Sequence, residues 1–281
     1  MQEPDFYKLI AAEIKLSPEQ VRHTSELLDS GNTVPFIARY RKEGTGGLDE
    51  NMIRHIEDRL RYLRTLQERK ETVLESIEKQ GKLTPELKEK ISKATKLQEV
   101  EDLYLPYRPK KRTRATIAKE KGLEPLAEVM LAQELQEGSL EEIAAPFLEA
   151  EKEVKTTEDA LAGARDIVAE VVSENAEVRK EIRKFTFRTG LVHSKAKKKQ
   201  DLAVYEMYAD YSELAKYILP HRILAMNRGE REGFLRVSIE VEVEQAQQML
   251  NRRFLKNQKS RKKFLVISLK VKLRRIQINK I

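Results

Sequence analysis

The chain has 281 residues, no cysteine and a formal net charge of +8. That length permits one large or two ordinary domains with a real core. The missing cysteines exclude disulfides, thiolate metal sites and cysteine nucleophiles. The charge is also uneven. Residues 245–281 hold 12 of the 54 Lys and Arg and no acid, leaving 42 basic against 46 acidic residues, a net of −4, from Met1 to Glu244. The high pI therefore belongs to the last 37 residues, and any electrostatic argument for the body must rest on local patches.

Ala, Glu, Lys, Leu and Arg fill 145 of the 281 positions, a composition typical of long amphipathic helices. No apolar run approaches the roughly 20 residues of a membrane span. The N-terminus, Met1-Gln2-Glu3-Pro4-Asp5, lacks the basic-then-apolar order of a signal peptide. The expectation is a soluble, cytoplasmic protein without membrane contact.

Pro4 suits a first helical position, and Phe6, Leu9, Ile10 and Ile14 form one apolar face behind it. Ser17-Pro18-Glu19-Gln20 is a capping-box start, and Gly31 supplies a left-handed stop for that helix. Pro35 then opens a short helix, on which Phe36, Ile37 and Tyr40 fall within about 100° and are expected to seat it. The pair, over about 17–43, reads as helix-turn-helix-like. Gly44, Gly46 and Gly47 form the next corner, with Asp49 and Glu50 at the following helix start. No strand precedes this corner and no Gly-Lys-Ser/Thr follows, so it is not a Walker loop.

A long helix is predicted over about 49–80, with Ile53, Ile56, Leu60, Leu63, Leu66, Val73, Leu74 and Ile77 at steps of three and four and Gly81 ending it. Further helices are expected from Thr84-Pro85, over 98–105, and at about 124–133, 139–150, 158–173 and 176–188. The residues from Gly190 to Lys199 read as an exposed basic loop, and 205–228 as helix. A single strand is expected over Phe234–Glu242, where apolar and polar residues alternate. The fold class is mainly α: a multi-helix bundle with a helix-turn-helix-like element and a long central helix, with one or two short strands near the C-terminus.

The four histidines, His23, His55, His193 and His221, are scattered, without metal-ligand spacing. No nucleophile elbow or spaced carboxylate pair argues for hydrolysis, so neither a catalytic residue, a metal nor a cofactor is expected. Basic patches are the remaining signal. Arg39, Arg41 and Lys42 flank the apolar group of the short helix. Arg108, Lys110, Lys111, Arg112 and Arg114 put five cations in seven residues, an arrangement that repels itself unless anions answer it. Tyr104 and Tyr107 precede this second patch and either stack on bases or lie buried beneath the loop.

Three stretches are more specific. TVPFIARYRKEGTGGLDE at Thr33–Glu50, EDLYLPYRPKKRTRATIAKEKGLEPLA at Glu101–Ala127 and LPHRILAMNRGEREGFL at Leu219–Leu235 resemble, in order and spacing, the N-terminal half of the bacterial Tex family of transcription accessory proteins. The resemblance spans about 1–256. It implies a helical region with a helix-turn-helix-like element in a protein that binds RNA or DNA and influences transcription; the absence of catalytic motifs makes a non-enzymatic role the expectation, with RNA polymerase or other transcription proteins as further candidate partners. The family is related to a eukaryotic elongation and histone-chaperone factor. Its full members continue into an RNase-H-like YqgF domain, helix-hairpin-helix modules and an OB-fold RNA-binding domain. After Asn257 this sequence departs from the pattern. The expected organisation is a helical region over 1–232, a strand and linker start over 233–256, and an atypical basic tail over 257–281 that a truncation or frame change would explain. The alternatives to nucleic-acid binding are a scaffold that docks transcription machinery, or an inactive truncated product.

Overall fold

The computed structural model describes residues 3–109, 112–133, 139–149, 151, 153–197 and 202–254. The expected tail over 257–281 lies outside the described residues. The chain divides into two compact units, Met1–Tyr107 and Arg108–Ile281.

In the first unit, α1 (Glu3–Ile14) and α2 (Pro18–Asp29) are followed by α3 (Val34–Tyr40), α4 (Lys42–Thr45) and α5 (Glu50–Lys79). The capping box at the start of α2 forms as the sequence indicates. The Ser17 hydroxyl accepts from the Gln20 amide, and the Gln20 side chain accepts from the Ser17 amide. Four residues then separate α2 from α3. Gly46 (φ 69°) and Gly47 (φ 83°) turn the chain in the left-handed region, where a side chain would be strained. Gly44 lies inside α4 with ordinary helical freedom, so the corner is made by two glycines rather than three.

At 30 residues α5 is about 45 Å long and serves two cores. Its first half packs Ile53, Ile56 and Leu60 against Phe6, Ile10, Val21, Val34 and Ile37. Its second half packs Leu66, Val73 and Ile77 against Ile91 of α6 (Pro85–Lys93) and Val100 and Tyr104 of α7 (Leu97–Tyr104). Arg64 ties α5 to the helices before it, reaching Glu3 and Asp29 at 2.7 Å each. Lys70 is buried in the second core and donates to the Ser92 carbonyl at 2.8 Å, in the last turn of α6.

The second unit begins with α8 (Arg114–Glu120), α9 (Glu124–Ala132) and α10 (Leu140–Ala144). The helix expected over 139–150 ends at Ala144, because Pro146 cannot donate into it and the chain tightens into a 3-10 turn over Ala145–Phe147. Next come α11 (Thr157–Glu174) and α12 (Ala176–Thr189), which build a helical core with α8 and α9 around Leu123, Leu126, Ala164 and Ile167.

The region after Gly190 differs from the sequence reading. It is not a loop: β1 (Leu191–Ala196) is the middle strand of an antiparallel sheet ordered β2-β1-β3, with β2 at Asp210–Leu214 and β3 at Leu235–Glu240. The expected helix over 205–228 is a 3-10 turn (Ala203–Tyr208), then β2, then α13 (Pro220–Arg231). The strand signal is hidden because inward positions carry polar residues. Ser194 is fully buried opposite Tyr211 and Val237, and Tyr211 hydrogen-bonds Glu213. Period-two hydrophobicity cannot report such positions. α13 and the 3-10 turn close this sheet over Val192, Tyr205, Met226 and Leu235. Finally α14 (Val243–Phe254) returns Ala246 and Leu250 to the helical core.

Candidate nucleic-acid interface

The described residues of the two predicted basic sets lie one set in each unit, on or before short helices. In α3 the buried residues are Val34 and Ile37, one turn apart, facing α5. That pairing fixes the helix rotation. Phe36 and Tyr40, four residues apart on another face, are turned outward, 38% and 64% exposed. Only Ile37 of the three expected seating residues does that work. A two-turn helix with four apolar side chains admits both rotations, and packing against Ile53 and Ile56 selects one.

The outward face has a defined geometry. The Phe36 and Tyr40 rings lie with centroids 5.2 Å apart, tilted by 46°. The Arg39 guanidinium is 6.0 Å from the Tyr40 ring centre, and that of Arg41 is 5.8 Å from the Phe36 ring centre. Such spacing is at the outer limit of cation–π attraction, about 0.5–1 kcal/mol at exposed sites. Lys42, the first residue of α4, is exposed beside them.

Charge pairing separates Arg39 and Arg41 from the other arginines of their unit. Arg22, Arg54, Arg59, Arg61, Arg64 and Arg69 each have a carboxylate partner. Among the described residues of the first unit, Arg39 and Arg41 are the arginines without one, and Lys42 also makes no ion pair. Glu43, the nearest acid in sequence, is exposed and bridges to none of them.

The helix start that follows already carries an acid of its own. Asp49 caps α5 by accepting from the Met52 amide at 2.8 Å, so a carboxylate already fills that position.

In the second set, Arg108, Arg112 and Arg114 are exposed. Arg112 reaches Glu120 at 2.8 Å, with both side chains more than half exposed, a pair of small net value. Arg108 and Arg114 have no carboxylate partner among the described residues. Arg114 opens α8, where the positive end of the helix dipole gives a cation no local stabilisation. Lys110 and Lys111 lie outside the described residues. Tyr104 is no stacking platform: it is core, its hydroxyl 3.0 Å from Ser76 Oγ and the Arg69 guanidinium over its ring. Tyr107 packs partly buried in the same cluster. Among the described residues no three carboxylate or imidazole side chains gather to hold a metal, and no helix is long and apolar enough to cross a membrane.

Comparison with known proteins gives these patches a context. The Tex-like protein N-terminal domain matches residues 4–78, and the Tex central region-like family matches residues 136–273. The chain belongs to the Tex family. It is 48% identical to Uncharacterized protein YdcI of Bacillus subtilis, over 88% of this chain and 35% of that protein. It is 48% identical to Protein tex of Bordetella pertussis, over 84% of this chain and 30% of the relative. To Transcriptional accessory protein Tex of Neisseria gonorrhoeae the identity is 42%, over 83% and 30%. The chain thus spans about a third of the length of these curated relatives. The α3 patch lies inside the Tex N-terminal match, whereas Arg108–Arg114 falls between the two matched stretches.

Proposed function

We propose that this chain is a non-enzymatic transcription accessory protein, acting in the cytoplasm, that binds RNA or DNA electrostatically. Arg39, Arg41 and Lys42 form one contact, and Arg108, Lys110, Lys111, Arg112 and Arg114 the other. The observation behind this reading is the selective pairing of the first unit. Six arginines are neutralised by carboxylates, and the two beside the exposed rings are not. The name of the gonococcal relative, a transcriptional accessory protein, agrees with it. The test is binding of the full chain to single-stranded RNA and to duplex DNA at low salt, against a variant with glutamine at all eight cations. The variant should lose at least about 100-fold in affinity, because each phosphate contact contributes through counterion release. Equal affinity of the two would leave binding to the cation-rich tail alone and remove these patches from the account.

A second reading, protein docking, has its own observation. Between Val204 and Leu224, Val204, Met207, Tyr217, Leu219, Ile223 and Leu224 all remain exposed in the second unit. A scaffold for RNA polymerase or another transcription protein would use such a surface. Its partner would survive charge reversal at Arg108, Lys110 and Arg112, whereas nucleic-acid binding would not.

A further inference from the structure

We infer that Phe36 and Tyr40 form a base-stacking platform, which makes the α3 patch a site for unpaired nucleotides rather than for duplex. This inference rests on the electrostatic reading above and goes beyond it by naming what meets the cations. Three observations support it. The rings are exposed although a seven-residue helix with Val34 and Ile37 buried has no packing reason to keep two aromatics in water. The two rings sit 5.2 Å apart, tilted by 46°, and together present an exposed aromatic pair on the α3 surface. The guanidiniums of Arg39 and Arg41 border that pair without a carboxylate to hold them, and Lys42 adds a third free cation.

Each element has a distinct task. An aromatic face attracts any base, because every base has a π surface, and the attraction is sequence-tolerant. The paired base edges and stacked interior of a duplex hide those surfaces, so a ring platform discriminates against duplex. The unpaired cations supply phosphate contacts to the strand on either side of the stacked base. Charge also selects against a protein occupant. A partner helix laid over Phe36 and Tyr40 would need acids placed against three cations, whereas a single strand brings a negative charge at every nucleotide.

The experiment compares three probes on the full chain: a short oligouridine RNA, an abasic ribose-phosphate strand of the same length, and an RNA duplex. Wild type should bind the oligouridine about 10-fold or more tighter than the abasic strand, the difference being the stacked base. Phe36→Ala with Tyr40→Ala should abolish that preference while leaving affinity for the abasic strand in place. Phe36→Leu with Tyr40→Leu keeps apolar bulk and should behave like the alanine pair. Phe36→Tyr with Tyr40→Phe keeps two rings and should retain the preference. If wild type binds the oligouridine and abasic strands equally, the platform is wrong and the rings serve another contact, such as a protein, although electrostatic binding stands. Preference for the bases that survives the alanine and leucine pairs also overturns it. Failure of wild type to bind any of the probes removes the electrostatic reading as well.

Discussion

Lys70 offers the sharpest test of how the first unit is held together. The residue is 2% exposed in the second half of α5, and its ammonium donates to the Ser92 carbonyl at 2.8 Å. Ser92 is in the last turn of α6, where carbonyls lack helical partners and the dipole is negative. Two opposing effects meet there. A charge-assisted hydrogen bond contributes about 1.5–3 kcal/mol, while a buried ammonium loses several kcal/mol of hydration. Lys70→Met keeps the apolar stem and removes both effects, so its stability should lie within about 1 kcal/mol of wild type. Lys70→Ala also deletes three methylenes, about 0.8 kcal/mol each, and leaves a cavity, so it should cost about 3 kcal/mol. Urea unfolding of the two variants measures this directly. A pH series adds a sign. Burial pushes the Lys70 ammonium below its ordinary value of 10.5, so the unfolded chain binds the proton more tightly than the folded chain. Between the lowered folded pKa and 10.5, wild type should therefore gain stability over Lys70→Met as pH rises. A methionine as damaging as alanine, or a wild type that loses ground at high pH, would refute the reasoning.

Arg64 bridges Glu3 of α1 and Asp29 of α2, and its hydrogen bond holds the Asp29 carboxyl below the usual range. A lowered carboxylate contributes stability that is present above about pH 4 and lost as pH falls through its folded value. Arg64→Met should cost about 1 kcal/mol at neutral pH and flatten the acid limb of unfolding; an unchanged acid limb would deny Arg64 that role. Gly229 lets α13 approach β3: a Cβ there would lie 2.6 Å from Leu235 Cδ1 and 3.0 Å from Tyr205 Cδ1. Gly229→Ala should lose about 1 kcal/mol in denaturant melts, overpacking of 1–3 kcal/mol outweighing the gain in helix propensity. A stabilised alanine variant would show that Leu235 and Tyr205 yield freely.

Most of the helical frame was legible because helix ends are written in local chemistry. The Ser17–Gln20 box, Asp49 at the start of α5, Thr84-Pro85, Asn175 and the stop at Gly81 each mark a boundary that the structure keeps. Seven of the eight expected stripe positions of α5 are buried and Leu74 is half-buried, with the buried Lys70 as an insertion that no hydrophobic pattern announces. The sheet was less legible. β1 presents Val192 and a buried Ser194 inward, and β2 presents Tyr211 and Glu213, so alternation by hydrophobicity breaks down. In the candidate site, residue type was readable and orientation was not. The cations were identified as cations, but their freedom from carboxylates depends on where Glu13, Glu3, Asp29 and Glu101 fold to reach the other arginines. The same holds for the aromatics. Tyr104 is claimed by the core beside Ser76 and Arg69, while Phe36 and Tyr40 are left outside it, although all three lie within four residues of an arginine in the sequence.

The salt dependence of single-stranded RNA binding tests the central claim most directly, because a slope counts phosphate contacts whatever the tail contributes. Replacing Arg39, Arg41 and Lys42 together by glutamine should reduce the log–log slope by about 2, three contacts at roughly 0.7 each. A slope identical to wild type would mean that no phosphate reaches α3, and the assignment of this patch to nucleic acid would fall.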